Sequence, residues 1–145
     1  MKENIILRIL AKLLVPLIIL FAFYVQFHGD YSPGGGFQAG VIFSAGFLLY
    51  TLIFGVDTAL EVIPEHVLRL IASLGVLVYA GTGVAAFLMG GEFLDYSVLA
   101  SNALAGQHLG IVLVELGVGM TVSSTMMLIF YTFANRARQD EGGHD

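Results

Sequence analysis

From Leu109 to Ala134 the sequence reads LGIVLVELGVGMTVSSTMMLIFYTFA, an apolar run that contains one charged residue, Glu115. A helix needs about 20 apolar residues to cross the hydrocarbon core of a bilayer. This stretch is therefore predicted to be a transmembrane helix that carries a carboxyl group within the membrane.

The whole chain has the composition of an integral membrane protein. Of its 145 residues, 57% are hydrophobic and only 12% are charged, whereas about 25% of the residues in soluble domains are charged. So low a charge density excludes an ordinary soluble enzyme, a disordered chain and a nucleic-acid-binding protein. The chain has no cysteine, which excludes disulfides, thiolate metal sites and a cysteine nucleophile.

Three further apolar stretches are long enough to span a membrane. The first begins near Arg8 and Lys12 and has no small-residue cleavage site, so it is predicted to be a retained helix rather than a signal peptide. The predicted fold class is an all-α integral membrane protein with four transmembrane helices. One membrane domain, residues 1–135, is followed by a polar tail, residues 136–145. The four spans are predicted at 7–27, 37–56, 70–90 and 109–134.

The positions of the basic residues predict the orientation of the chain. Every Lys and Arg lies near a chain end or in the loop between the second and third spans. The first and third loops contain acidic residues and histidine but no Lys or Arg. By the positive-inside rule, both termini are predicted to be cytoplasmic. The basic residues are Lys2, Arg8, Lys12, Arg69, Arg136 and Arg138.

Two of the loops have patterns of their own. The cytoplasmic loop carries Asp57, Glu61 and Glu65, which would share one face if the loop is helical. This pattern is interpreted either as a solvated acidic face or as a funnel that gathers cations at the inner mouth of a pathway. The third loop, from Gly91 to Gly106, mixes apolar and polar residues. We expect it to lie along the membrane surface or to dock onto a neighbouring subunit.

A glycine-rich turn between the first two spans, residues 28–40, reads HGDYSPGGGFQAG. Ser32 and Pro33 fit the N-cap and the first residue of the second helix. Gly36 and Gly40 form a GxxxG pair, which favours close packing against another helix. A phosphate-binding loop is disfavoured because the Lys and the Ser or Thr of that motif are missing. The candidate packing residues are His28, Ser32, Pro33, Gly34, Gly35, Gly36, Phe37 and Gly40.

Glu115 is the strongest candidate for a functional side chain. It is expected about 12 Å into a core about 30 Å thick, where a lipid-exposed charge costs several kcal/mol. Its carboxyl group must therefore face protein or water, either as part of a proton or cation relay or as a hydrogen-bonded joint that fixes assembly. His108 lies two turns earlier, about 10 Å away along the axis, so waters or a partner residue would have to bridge the two. No metal site, cofactor or catalytic constellation is predicted.

These residues give the chain a family resemblance. The turn at 28–40 and the stretch Glu115-Leu116-Gly117-Val118 resemble those of the B subunit of the Mrp-type multisubunit sodium/proton antiporter, the MnhB family. The resemblance extends to Thr132, and many members have an aspartate where this chain has Glu115. It implies a small subunit, not an enzyme, in the inner membrane of a bacterium or archaeon. The implied partners are other antiporter subunits, the lipid bilayer, sodium ions and protons, with no nucleic acid.

The sequence is also compatible with other functions. The chain could be a purely structural assembly subunit, or the equivalent module of a membrane-bound hydrogenase complex, which the resemblance also covers. A self-sufficient four-helix multidrug exporter is disfavoured because the first span contains no carboxylate. Four helices with one polar site are also too few for a complete alternating-access transporter, since transporters use repeated bundles around a midplane site.

Overall fold

A computed structural model of the chain describes residues 5–29 and 33–142, with side chains described up to residue 138. Within that part, four helices are long and apolar enough to cross a membrane, and this confirms the predicted all-helical fold class. The elements are α1 (Ile5–Phe27), α2 (Gly36–Phe54), α3 (Val56–Val62), α4 (Glu65–Leu88), a 3₁₀ helix (Tyr96–Leu99) and α5 (Ala103–Gly142). The four candidate membrane spans lie in α1, α2, α4 and α5.

The second helix begins later than predicted. It begins at Gly36, so the assignment of Pro33 as its first residue is wrong. Gly35 stands at the N-cap with a φ of 137° and no side-chain cap hydrogen bond. This φ lies in a region that is essentially restricted to glycine, so the turn continues through Gly35 before the helix can begin. The predicted N-cap residue, Ser32, lies outside the described residues.

The last two spans belong to helices longer than their apolar runs. The helix α4 begins at Glu65, before the predicted start at residue 70. The helix α5 begins at Ala103 and continues to Gly142, past the boundary predicted at residue 135. An apolar run measures the hydrocarbon core, whereas backbone hydrogen bonding can continue into polar flanking sequence.

The four long helices are arranged in a row whose order differs from their order in the chain. The helix α1 packs mainly against α2, α2 packs also against α5, and α5 packs also against α4. The order across the bundle is therefore α1–α2–α5–α4. The last helix in sequence occupies a central position, and α1 and α4 lie at the edges. The smallest buried share among the four spans belongs to α1.

Glycine allows α4 and α5 to approach to backbone contact. A Cβ atom on Gly75 of α4 would lie 2.6 Å from the carbonyl oxygen of Gly117 on α5, and one on Gly117 would lie 2.7 Å from the carbonyl oxygen of Gly75. The Thr121 hydroxyl donates a hydrogen bond to the Ala72 carbonyl oxygen across this contact, at 3.4 Å. Close packing and interhelical hydrogen bonds are what hold helices together in lipid.

The connection between α2 and α4 is folded onto the bundle. The short helix α3 contributes Ala59 to a buried cluster that joins α2, α4 and α5. The Tyr131 hydroxyl donates a hydrogen bond to the Ile63 carbonyl oxygen just after α3, at 3.5 Å. The predicted cytoplasmic loop is therefore an ordered cap on one end of the bundle. The other members of the cluster are Phe47, Leu68, Met127 and Tyr131.

Both ends of the described chain lie at this same end of the bundle. Arg138, near the end of α5, donates two hydrogen bonds to the Asp57 carboxylate on α3, at 2.8 and 2.7 Å. At the start of α1, the Arg8 guanidinium lies 5.7 Å from the ring centroid of Phe54, the last residue of α2. This arrangement fits four spans of alternating direction. The assignment of this end to the cytoplasm remains a prediction from the basic residues.

The loop between α4 and α5 packs on its own two helices. The Tyr96 ring lies against Gly110 of α5, and the Phe93 ring lies against Gly83 of α4, where an added Cβ would lie 2.6 Å from its Cζ. Burial raises the pKa of the Tyr96 hydroxyl. The two aromatic rings thus fix the loop against the chain itself, and its expected docking onto a neighbouring subunit remains a prediction.

We expect Gly75→Ala to destabilise the protein, because the new methyl group would meet the α5 backbone. Forcing extra atoms into a packed contact costs about 1–3 kcal/mol. Gly81→Ala in the same helix is the control, since nothing lies within 4 Å of a Cβ there. Thermal unfolding in detergent, followed by size-exclusion chromatography, should give a lower midpoint for Gly75→Ala only. Equal midpoints for the two variants would contradict the backbone contact.

We expect Asp57→Asn to loosen the last turns of α5, because it removes the ion pair with Arg138. Hydrogen bonds from Arg138 hold the pKa of the Asp57 carboxyl below its usual value of 3.8. The ion pair therefore stabilises the fold above that usual value and is lost as the pH falls through the lowered one. Amide hydrogen exchange at residues 136–142 should increase modestly in Asp57→Asn. Glu61→Gln, on the same short helix, should leave it unchanged; an equal increase in both variants would refute the role of the pair.

Candidate functional site

The Glu115 carboxylate lies against the glycine-rich turn between α1 and α2. A Cβ atom added to Gly29 would lie 2.6 Å from Glu115 Cδ, and one added to Gly35 would lie 2.8 Å from Glu115 Oε1. Real Cβ atoms essentially never approach other atoms closer than 3.0 Å. A side chain at either position would therefore require the Glu115 carboxylate to move, and the positive φ of Gly35 favours glycine there in any case. Two features that the sequence singled out separately form one site in the structure.

The GxxxG pair packs against α5 of the same chain. A Cβ on Gly36 would overlap the backbone carbonyl of Glu115, and one on Gly40 would lie 2.9 Å from the carbonyl oxygen of Gly119. The small-residue face of α2 is thus used within the chain. Its contact with α5 fixes the position of the Glu115 backbone relative to the turn.

Glu115 lies level with the α1–α2 turn rather than with the end of its own helix. The helix α5 begins at Ala103, so about 18 Å of helix precede Glu115. In the chain by itself the residue is half-buried. The hairpin formed by α4 and α5 therefore extends beyond the α1–α2 turn. The Glu115 carboxylate lies level with that turn and not at the end of the hairpin.

The two histidines near this region have different surroundings. His28, in the turn, stacks on Tyr24 with ring centroids 4.0 Å apart, and its Nδ1 lies 2.9 Å from the Tyr24 carbonyl oxygen. His108 is exposed on α5, two turns before Glu115. A relay from His108 to Glu115 remains a prediction.

The three acidic residues of the predicted funnel do not share one helix face. Asp57 and Glu61 lie on α3, whereas Glu65 begins α4 after a break at Pro64.

Basic side chains pair with two of the three carboxylates: Asp57 binds Arg138, and Glu65 binds Arg69 at 2.8 Å. The Asn135 amide also donates a hydrogen bond to Glu65, at 3.3 Å. These contacts favour a structural role for the cluster, and its role as a cation funnel stays an untested prediction.

The other residues of the glycine-rich turn lie around the site, but not all of them form part of it. Pro33 and Phe37 are exposed, Phe37 to 60%. Gly34 is half-buried in the turn. Phe37, at the start of α2, therefore presents its ring to the surroundings of the chain.

Gln26 belongs to the site, although it is not among the residues predicted from the sequence. It lies in the last turn of α1 and is only 8% exposed. A Cβ on Gly119 would lie 2.5 Å from Gln26 Oε1, so the amide occupies space left by that glycine. Gly119 follows Glu115 by one turn of α5, about 5.4 Å. The signal that could have revealed Gln26 is an amide side chain inside an otherwise apolar span.

Comparison with known proteins identifies relatives along nearly the whole chain. The family described as "Domain related to MnhB subunit of Na+/H+ antiporter" matches residues 6–128. Similar curated proteins include the one named "Putative antiporter subunit mnhB2" from Staphylococcus aureus strains Newman and JH1. Each is 36% identical over 138 residues, which cover 92% of this chain and 97% of the relative. These matches confirm the family resemblance.

We expect Gly29→Ala to destabilise the protein through its clash with the Glu115 side chain, and Glu115→Asp to relieve that clash by shortening the side chain. Residues in direct contact typically couple by about 0.5–3 kcal/mol. Unfolding midpoints of both single variants and the double variant measure the coupling. Gly36→Ala is the control: its Cβ meets the Glu115 backbone, so Glu115→Asp should not rescue it. Strictly additive effects for the Gly29 pair would show that the contact does not exist.

Proposed function

Because this chain belongs to the family of MnhB-related antiporter subunits, we propose that it is a small membrane subunit of a multisubunit sodium/proton antiporter. Its four apolar helices suit a multi-pass membrane protein. We place it in the inner membrane of a bacterium or archaeon, among other subunits of the antiporter. It acts as a component of a transporter rather than as an enzyme, and the complex exchanges sodium ions for protons.

The contact between Glu115 and the glycine-rich turn is the observation that best supports a role in transport. A carboxylate in a membrane span is costly unless it faces protein or water. Here it lies beside a non-helical backbone segment, which is tolerated at membrane depth only within protein or along a water-filled cavity. A carboxylate in such a place can accept and release a proton or bind a cation. We propose that Glu115 contributes this chemistry to the ion pathway.

The same contact also favours a structural role. A side chain in contact with Gly29 and Gly35 can hold the turn against α5. In that case the carboxylate would act as a joint between helices and would remain in one state during turnover. The two roles predict different behaviour for a substitution that keeps the hydrogen-bonding shape and removes the charge.

We expect Glu115→Gln to assemble normally and to lose most of the sodium-dependent proton exchange, or to shift its pH optimum. Glutamine keeps the size and hydrogen-bonding capacity of glutamate but cannot transfer a proton. Exchange is measured in membrane vesicles that contain the whole complex, and assembly is checked on a native gel. Glu92→Gln is the matched control, since Glu92 is exposed in the loop between α4 and α5.

Glu115→Ala separates the two roles. Normal exchange in Glu115→Gln, together with failed assembly in Glu115→Ala, would show that Glu115 is only a joint. Loss of exchange in both variants, with assembly retained in Glu115→Gln, would support the ion-pathway role.

A further inference from the structure

A groove of about 250 Å³ runs along one side of the helix row. Phe23 and Gln26 of α1 form one wall, Leu68 and Ile71 form the wall on the α4 side, and α2 and α5 form the floor. The groove is open on one side, and most of the side chains that line it are apolar. Because α1 and α4 lie at opposite edges of the row, the groove is the space between the two edges.

The Gln26 amide faces this groove without a hydrogen bond from the part of the chain that the structure describes. The residue is only 8% exposed. The hydroxyls that share the lining, Ser123 and Ser124, each donate to the Met120 carbonyl oxygen of their own helix. The polar atoms of the amide are accessible from the groove rather than sealed in the protein. Within a membrane an amide without a hydrogen bond is costly, so Gln26 calls for a partner in the groove.

The size and lining of the groove restrict what can fill it. An apolar cavity of about 150 Å³ stays dry and holds one benzene molecule, so about 250 Å³ has room for roughly two large apolar side chains. Lipid acyl chains match the apolar lining but offer no hydrogen bond to the amide. Water satisfies the amide but not the apolar lining. The occupant should therefore be mostly apolar and carry one hydrogen-bonding group.

We propose that a transmembrane helix of another antiporter subunit lies along the open side of this groove. It places apolar side chains between the α1 and α4 walls and forms a hydrogen bond with Gln26. Polar side chains that bond across helices are a common element of such interfaces. The glycine face of α2 is already covered by α5, so that face is not available to this helix, whereas the groove is open and contains the Gln26 amide. This inference rests on the chain being a subunit of an antiporter complex, but not on Glu115 taking part in exchange.

Site-specific photo-crosslinking in membranes that contain the whole complex tests the proposal. A benzophenone-bearing phenylalanine replaces Phe23, which lines the groove and is 50% exposed. The matched control carries the same group at Phe21, which is on the same helix, is 54% exposed and does not line the groove. We expect the probe at Phe23 to give an adduct with one other antiporter subunit, mapped by mass spectrometry to a membrane span, and the probe at Phe21 not to give that adduct.

The contribution of the amide is tested with Gln26→Leu in the chain that carries the probe at Phe23. We expect the adduct per folded chain to fall by about three- to tenfold, as for the loss of one interhelical hydrogen bond. Gln38→Leu is the control, since Gln38 is an exposed glutamine on α2, and it should leave the yield unchanged. An undiminished adduct in Gln26→Leu would overturn the proposed hydrogen bond.

Other products would overturn the docking proposal itself. Adducts of the Phe23 probe with lipid alone would show a lipid-filled groove, and adducts with a second copy of the chain would show a homodimer. Failure of the wild-type chain to co-purify with any antiporter subunit would instead overturn the proposed function. If the chain co-purifies with an antiporter subunit but the Phe23 probe gives only lipid adducts, the proposed function stands and the docking of a helix in the groove is refuted.

Discussion

The structure depends on the approach of α2 and α4 to α5 at distances that only glycine allows. Gly36 on α2 meets the backbone of Glu115, and Gly75 on α4 meets that of Gly117. In lipid, the hydrophobic effect does not draw helices together, so these contacts and the hydrogen bonds around them must hold the bundle. Because α5 takes part in both contacts, its position determines where α2 and α4 lie, and α1 is positioned in turn by its packing against α2.

This constraint also explains where the polar groups are. Glycines of the turn leave space for the Glu115 carboxylate, and Gly119 of α5 leaves space for the Gln26 amide of α1. The carboxylate is thereby held beside the turn that joins α1 to α2, and the amide faces the groove between the edges of the helix row. The interpretations of Glu115 as an ion-pathway group and as a joint share this geometry. They differ only in whether the carboxylate changes its state while the complex works.

The sequence predicted the features that local patterns determine and missed those that depend on contacts between helices. Four spans, the glycine pair and Glu115 could be recognised because apolar length, small-residue spacing and an isolated charge are local signals. The pairing of α2 with α5 and the burial of Gln26 could not, since both depend on which helices become neighbours. The start of α2 was misplaced because Ser32 and Pro33 form a good capping pattern, whereas the chain continues to Gly35 before turning into the helix.

The order α1–α2–α5–α4 has a consequence for how the protein is made. Helices enter the membrane in chain order, so α1 and α2 are in place while the glycine face of α2 still lacks its neighbour. At about 5–20 residues per second, the roughly 70 residues from the end of α2 to Val122, which packs on Gly40, take some 3–14 s to synthesise. Throughout that interval the nascent chain exposes a surface that other glycine-rich helices could bind. Correct assembly therefore depends on the last helix reaching this face before a competitor does.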